Sequence, residues 1–245
     1  MPTTPRPVGK FGRLPGKVPV GLRELGFYAA GPLPSAPAAV TAPDVGDWQM
    51  LANDVVGDCG VAGLQHGFMA DAAVAGEHES FPNGTQAKAF YLAYTGGQDS
   101  GVVLADYLAY VRQHRYYDHT VDSFAPVNVH DVPTLAFATF AFGFTYCGIV
   151  VTETMQRTFA AREPWEMATL TGPVAGGHCV PVVGYDDTFI TVVTWGAVQP
   201  VSWPAWHHMA TEAYAVVTGE LVAAEGDGAR GVTLEALRAD LDRLN

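Results

Sequence analysis

The sequence predicts an α+β fold with two unequal lobes, helices first and strands later. Three observations predict it. Apolar residues recur at three- and four-residue steps between 58 and 142. From 145 onward the apolar residues come as short β-branched runs. At 245 residues and 49% hydrophobic content, the chain is long enough to bury a full core. The expected divisions are an extended basic arm over 1–44, a main domain over 45–220, and a linker with a helix over 221–245.

Nine of the seventeen prolines lie in residues 1–43. Each removes a backbone donor and clashes with the preceding turn, which excludes a long helix there. Leu22, Leu25, Phe27 and Tyr28 give this arm one apolar piece that can lie on a surface. The first helix is predicted over 58–76. Cys59, Ala62, His66, Met69 and Ala73 share one face, Asp58 is placed to cap the start, and Gly76 is placed to stop it. Helices over 85–94 and 104–114 follow. The apolar run 132–142 reads as a buried helix ended by Gly143.

Strands are predicted over 145–152, 180–185, 189–195 and 212–218. Asp186 and Asp187 form the turn between the second and third. An amphipathic helix over 233–244 closes the chain.

The net charge of −12 argues against general nucleic-acid binding and against an anionic membrane surface. The charge is uneven. Arg6, Lys10, Arg13, Lys17 and Arg23 face only Glu24 within the first 25 residues, so the arm is basic and the body acidic. The three cysteines, Cys59, Cys147 and Cys179, form no C-x-x-C pair, which disfavours a disulfide framework or a zinc knuckle. Reduced thiols in a cytoplasm-like compartment fit this usage. The start of the chain has no apolar signal region, and no apolar run is long enough for a transmembrane helix. No phosphate-binding glycine loop occurs. His207 and His208 read as a solvated helix pair.

The chemistry concentrates at N-D-V-V-G-D-C-G (53–60). A cysteine in the first turn of a helix has its thiolate stabilised by unpaired backbone N–H groups and the helix dipole. A histidine brought next to it from elsewhere in the chain would act as base and then as acid. An amide side chain, Asn53, lies six residues upstream. Cys147 and Cys179 read as core residues in strands, and His66 as a packing residue on the face of the first helix.

These residues resemble the papain-like cysteine peptidases. In that family an amide residue precedes the nucleophile by six positions, as Asn53 precedes Cys59. G-G-H-C-V-P-V-V-G-Y (176–185) is similar to the family's histidine block, and V-V-T-W-G (192–196) to its Trp-Gly strand end. V-G-D-W (45–48) looks like the segment near the mature start of papain. The chain also resembles compact papain-like proteins of bacteriophages and actinobacteria, through His66, Y-L-A-Y-T-G (91–96) and the stretch from Trp195 to Trp203. The resemblance implies Cys59 as nucleophile, His178 as general base, Asn53 in the oxyanion hole, and Trp195 shielding the histidine. It implies peptide or protein substrates and no cofactor or metal.

One departure is plain. The family's histidine-orienting Asn falls on Val193, which cannot accept a hydrogen bond. Thr194 and Asp187 are the candidate replacements. Two functions follow as expectations. One is a thiol peptidase or related acyl-transfer hydrolase. The other is a catalytically weak or inactive scaffold, virion-associated or host-cytoplasmic, that meets an assembly partner through its arm.

Overall fold

The computed structural model describes residues 4–76, 80–227 and 229–244. It has a helical lobe and a sheet lobe. The first helix, α1 (Cys59–Ala75), is buried on nearly every side from Cys59 to Ala72. The predicted single-face stripe understates this, because α1 is the central helix, wrapped by both lobes, and such a helix is apolar all round. Gly76 ends it in the left-handed conformation, φ +72°, as expected of a C-cap glycine. Asp58 holds the N-cap position but makes no side-chain cap hydrogen bond, so it does not cap the helix as the sequence suggested.

Helices α2 (Gly84–Tyr94) and α3 (Leu104–His114) complete the helical lobe. Asn83 and Gln86 close α2 with reciprocal hydrogen bonds. Helix α4 (Val132–Ala141) is capped by Asp131 and packs mostly buried, as its composition predicts.

The sheet lobe is one six-stranded antiparallel sheet of β1 (Val121–Pro126), β2 (Thr145–Thr152), β3 (Val174–Tyr185), β4 (Phe189–Thr194), β5 (Ala197–Ser202) and β6 (Ala210–Thr218). The strands lie in the order β1-β6-β2-β3-β4-β5. β3 begins six residues earlier than predicted, so His178 sits inside the strand rather than ahead of it. Its register opposite β2 places Ile149 across from His178 and Gly148 across from Cys179. Short helices α5 (Glu153–Ala160) and α6 (Trp203–Met209) link strands, α7 (Gly219–Glu225) follows β6, and α8 (Leu234–Asp242) packs beside β1. No helix among the described residues is long and apolar enough to cross a membrane.

The turn from β4 to β5 is two residues, Trp195 and Gly196, both at positive φ (+46° and +73°). A tight hairpin of this twist needs such dihedrals, and tryptophan is an unfavourable residue for them. Aromatic packing holds it there. The Trp195 ring meets Phe159, Trp165 and His178 at centroid distances of 5.0, 6.3 and 4.9 Å.

Candidate active site

Cys59 is the first residue of α1, and its approach loop is pinned from the helical lobe. The Gly57 N–H donates to Asp99 Oδ1 at 2.8 Å, and the same oxygen accepts from the Tyr91 hydroxyl at 2.8 Å. Tyr91 in turn accepts from the Gly101 N–H. This link gives the fully buried Tyr91 a clear part in placing the thiol. Asp99 carries no motif and was invisible in the sequence.

His178 projects from β3 and is 1% exposed, as is Cys59. Both line an enclosed gap between α1 and the sheet, together with Asn53, Met50, His66, Val193, Thr194 and Trp195; the gap is too small for water. His178 Nε2 lies 2.8 Å from Thr194 Oγ1, whereas Nδ1 is buried without a partner. Trp195 covers the imidazole, and Phe11 meets its edge at 5.8 Å. Asp187 is not brought to the site. It lies at the exposed β3–β4 turn, where it accepts from Thr188. Val193 is a buried apolar residue of β4.

Asn53 is buried, and its Nδ2 donates to Val56 O at 3.3 Å. The amide also faces the Asp58 carboxyl, which burial drives up to about 7, with Asn53 favouring the charged form and Asp99 and Asp54 opposing it. Neither Asp58 oxygen makes a well-formed hydrogen bond. His66 packs on α1 as expected. Its Nε2–H is shared by the carbonyls of Trp48 and Gln49, at 2.8 and 3.1 Å. It thereby anchors a loop in which Gln49, Leu51 and Ala52 all have positive φ, immediately before Asn53. Cys147 and Cys179 are buried core thiols. His207 faces His130 across 3.4 Å at the surface, and among the described residues no group of three or more His, Cys, Asp or Glu side chains could hold a metal ion.

The N-terminal segment lies across this site. The Arg6 N–H donates to Ala160 O, the Lys10 N–H to Asn53 O, and the Arg13 N–H to Gly177 O. The Val102 N–H donates to Gly12 O and the Leu14 N–H to Val102 O, so residues 12–14 bridge to Val102 of the opposite lobe. The approach is close enough to demand glycine on both sides. A Cβ on Gly12 would lie 1.6 Å from Gly57 O, and one on Gly57 would lie 2.5 Å from Phe11 O.

Closure sets the charge state. Burial pushes the Cys59 thiol up to about 12; the backbone amides of Cys179, Gly12 and Arg13 offset this only in part, and Asp58 adds to it. Burial, with His66 second, brings the His178 imidazole down to about 3. The covered site therefore holds a neutral thiol and a neutral imidazole.

No protein-family model matches the sequence, and no curated protein does. Among solved structures, the chain is similar to xylellain, a cysteine protease from Xylella fastidiosa, with a TM-score of 0.64 and 13% identity over 86% of this chain and 97% of that one. It also matches the Carica candamarcensis cysteine protease CMS1MS2, at TM-score 0.47 and 15% identity over 74% and 98% of the two chains. A third match is procathepsin L 3 of the Tenebrio molitor larval midgut, at 0.47 and 14% over 81% and 74%. With a cysteine leading its central helix and a histidine across the lobe boundary on an antiparallel sheet, this chain has the papain-like cysteine protease fold.

Proposed function

We propose that the chain is a cysteine peptidase, or a related thiol acyl-transfer hydrolase, whose resting form is closed by its own residues 6–14. One observation carries this reading. Cys59 and His178 line the same gap from opposite lobes, with Nδ1 of the histidine unpartnered and Nε2 held by Thr194. In the working form, His178 Nδ1 takes the Cys59 proton while Nε2–H donates to Thr194. Thr194 thus stands in for the orienting amide that Val193 cannot supply. The thiolate attacks a peptide carbonyl, the imidazolium returns the proton to the departing amine, and water resolves the thioester. The Cys59 N–H and the Asn53 amide, turned from Val56, would receive the oxyanion.

The resting form cannot run this cycle. Moving a proton from a buried thiol to a buried imidazole creates two charges where water is excluded. The segment also presents the wrong atoms to the sulfur. The Gly12 and Arg13 amides favour the thiolate through their N–H groups, and the Gly12 carbonyl is committed to Val102. Withdrawing the segment admits water, lowers the thiol pKa and raises that of the imidazole.

A scaffold that docks on another chain through its N-terminal segment, as a virion or assembly protein would, is the second reading. The sealed, uncharged site favours it. The test is the pH profile of Cys59 alkylation by iodoacetamide, with peptide hydrolysis, in the wild type, Gly12→Ala, and Gly12→Ala with His178→Ala. The peptidase reading expects wild-type reaction only at strongly alkaline pH. It expects a neutral-pH thiolate in Gly12→Ala that disappears when His178 is removed. A thiol in Gly12→Ala that titrates normally with and without His178 favours the scaffold.

A further inference from the structure

One ion pair beside the site has a built recess around it. Arg13 donates to Glu212 Oε1 from both Nε, at 2.7 Å, and Nη2, at 2.6 Å. The two side chains are only 8% and 9% exposed. Glu212 stands on β6, and its other oxygen accepts from the Tyr214 hydroxyl at 3.2 Å. Two missing side chains leave the space. A Cβ on Gly148 would lie 2.8 Å from both Arg13 Nε and Glu212 Oε1, and one on Gly177 would lie 3.3 Å from Arg13 Cδ. Gly177 immediately precedes His178, and Arg13 immediately follows the residue that presses on Gly57. The recess therefore lies beside the point where the backbone of Gly12 and Arg13 meets the thiol.

We infer that this recess is the specificity pocket of the cleft and takes a basic side chain, arginine before lysine, from the peptide that replaces residues 6–14. Arg13 is its resting occupant. The substrate part of this inference rests on the peptidase reading; the pocket part does not.

A carboxylate in a partly enclosed recess holds a hydrogen-bonding cation more firmly than one in open water. When Arg13 leaves, water reaches Glu212, which keeps the Tyr214 hydroxyl and loses its counter-charge, so a cation that enters restores a charge-assisted pair. A guanidinium offers the same pair of N–H donors to Oε1, whereas an ammonium offers one compact charge. An apolar side chain leaves the carboxylate unpaired and is disfavoured. The acidic body of the chain, −16 outside the first 25 residues, draws cationic peptides toward the cleft. Occupant and substrate then compete for one carboxylate, so a peptide with a basic side chain both fills the pocket and keeps the resting segment out.

The test uses the full chain. Arg13→Ala empties the pocket, and ethylguanidinium is the probe. At about ten times its dissociation constant, ethylguanidinium should raise the melting temperature of Arg13→Ala by about 3 °C. It should leave the wild type unmoved, along with Arg13→Ala combined with Glu212→Gln, and ethylammonium should act more weakly. No shift in Arg13→Ala, or an equal shift without Glu212, overturns the pocket. Should Arg13→Ala fail to fold, Gly12→Ala withdraws the segment with Glu212 intact and takes the same measurement. Fluorogenic peptides on Gly12→Ala then separate the two readings. Preference for arginine over leucine peptides, lost on Glu212→Gln, supports both. Hydrolysis without that preference overturns the pocket and keeps the peptidase. A Glu212-dependent guanidinium shift with no hydrolysis keeps the pocket and sinks the peptidase.

Discussion

Residues 6–14 and residues 22–40 both run over the body of the protein, and they hold to it by different means. The later stretch buries side chains. Leu22, Leu25 and Tyr28 are all in the core; the Tyr28 hydroxyl donates to Asp240 at 2.9 Å, and Val40 exchanges two backbone hydrogen bonds with Tyr185. In the earlier stretch Gly9 and the Arg13 side chain are buried, and Val8 and Phe11 are only partly covered. This stretch is held by backbone hydrogen bonds, the ring of Phe11, the Arg13 ion pair, and the Arg6 guanidinium, which donates to Val198 O and lies over Phe159. Backbone groups and guanidinium groups are what any arginine-containing peptide offers, whereas a fitted Leu25 is particular to this chain. The difference fits the proposed roles, a segment that a peptide could replace and a segment that belongs to the fold.

Substitutions can break that comparison. The largest effect should come from Gly57→Ala, which drives a methyl into Phe11 O from the opposite wall. The thiolate fraction at fixed pH rises tenfold for each unit of lowered pKa, so alkylation of Cys59 at pH 7.5 should rise by at least about 100-fold. An unchanged rate would mean that the segment does not control access. Next is Leu25→Ala, which should cost about 2–4 kcal/mol in urea unfolding because a fully buried leucine leaves a cavity. Native-state alkylation of Cys59 should stay at the wild-type rate. A large rise would show the two stretches acting as one unit. The smallest effect is Tyr28→Phe, about 0.5–1.5 kcal/mol for the hydrogen bond to Asp240. It sharpens the contrast by showing how little of the later stretch's grip is polar.

What was legible in the sequence, and what was not, follows the same physics. Helix α1 could be read from its spacing and Gly76, and β2, β3, β4 and β6 from their β-branched runs. The two strands that escaped, β1 and β5, are the two edges of the sheet. Each is six residues long and contains proline, Pro126 and Pro200, which an edge tolerates and which erases the strand signal. Helices α5, α6 and α7 have only seven or eight residues, too few for a period to stand out. Of the residues that line the gap, Cys59, Asn53, His178 and Trp195 carry the motif, and Thr194 is a candidate for the missing acceptor. Asp187 was proposed with equal reason, and only the fold separates them: Thr194 shares a strand wall with His178 and Asp187 faces solvent. Asp99 and Glu212 carry no pattern at all. Each has its place through one contact across the fold, Gly57 for Asp99 and Arg13 for Glu212.

Residues 15–21 join the exchangeable stretch to the fixed one, and they are largely exposed, with Val18 at 47% and Val20 at 95%. So short a tether keeps the occupant of the cleft at an effective concentration in the millimolar range. A free peptide with the same contacts must exceed that concentration to displace it. Cutting the tether would change none of the contacts described above, yet the occupant would become a dilute, dissociable ligand. On the peptidase reading, the covalent continuity of seven surface residues sets the threshold at which the cleft opens.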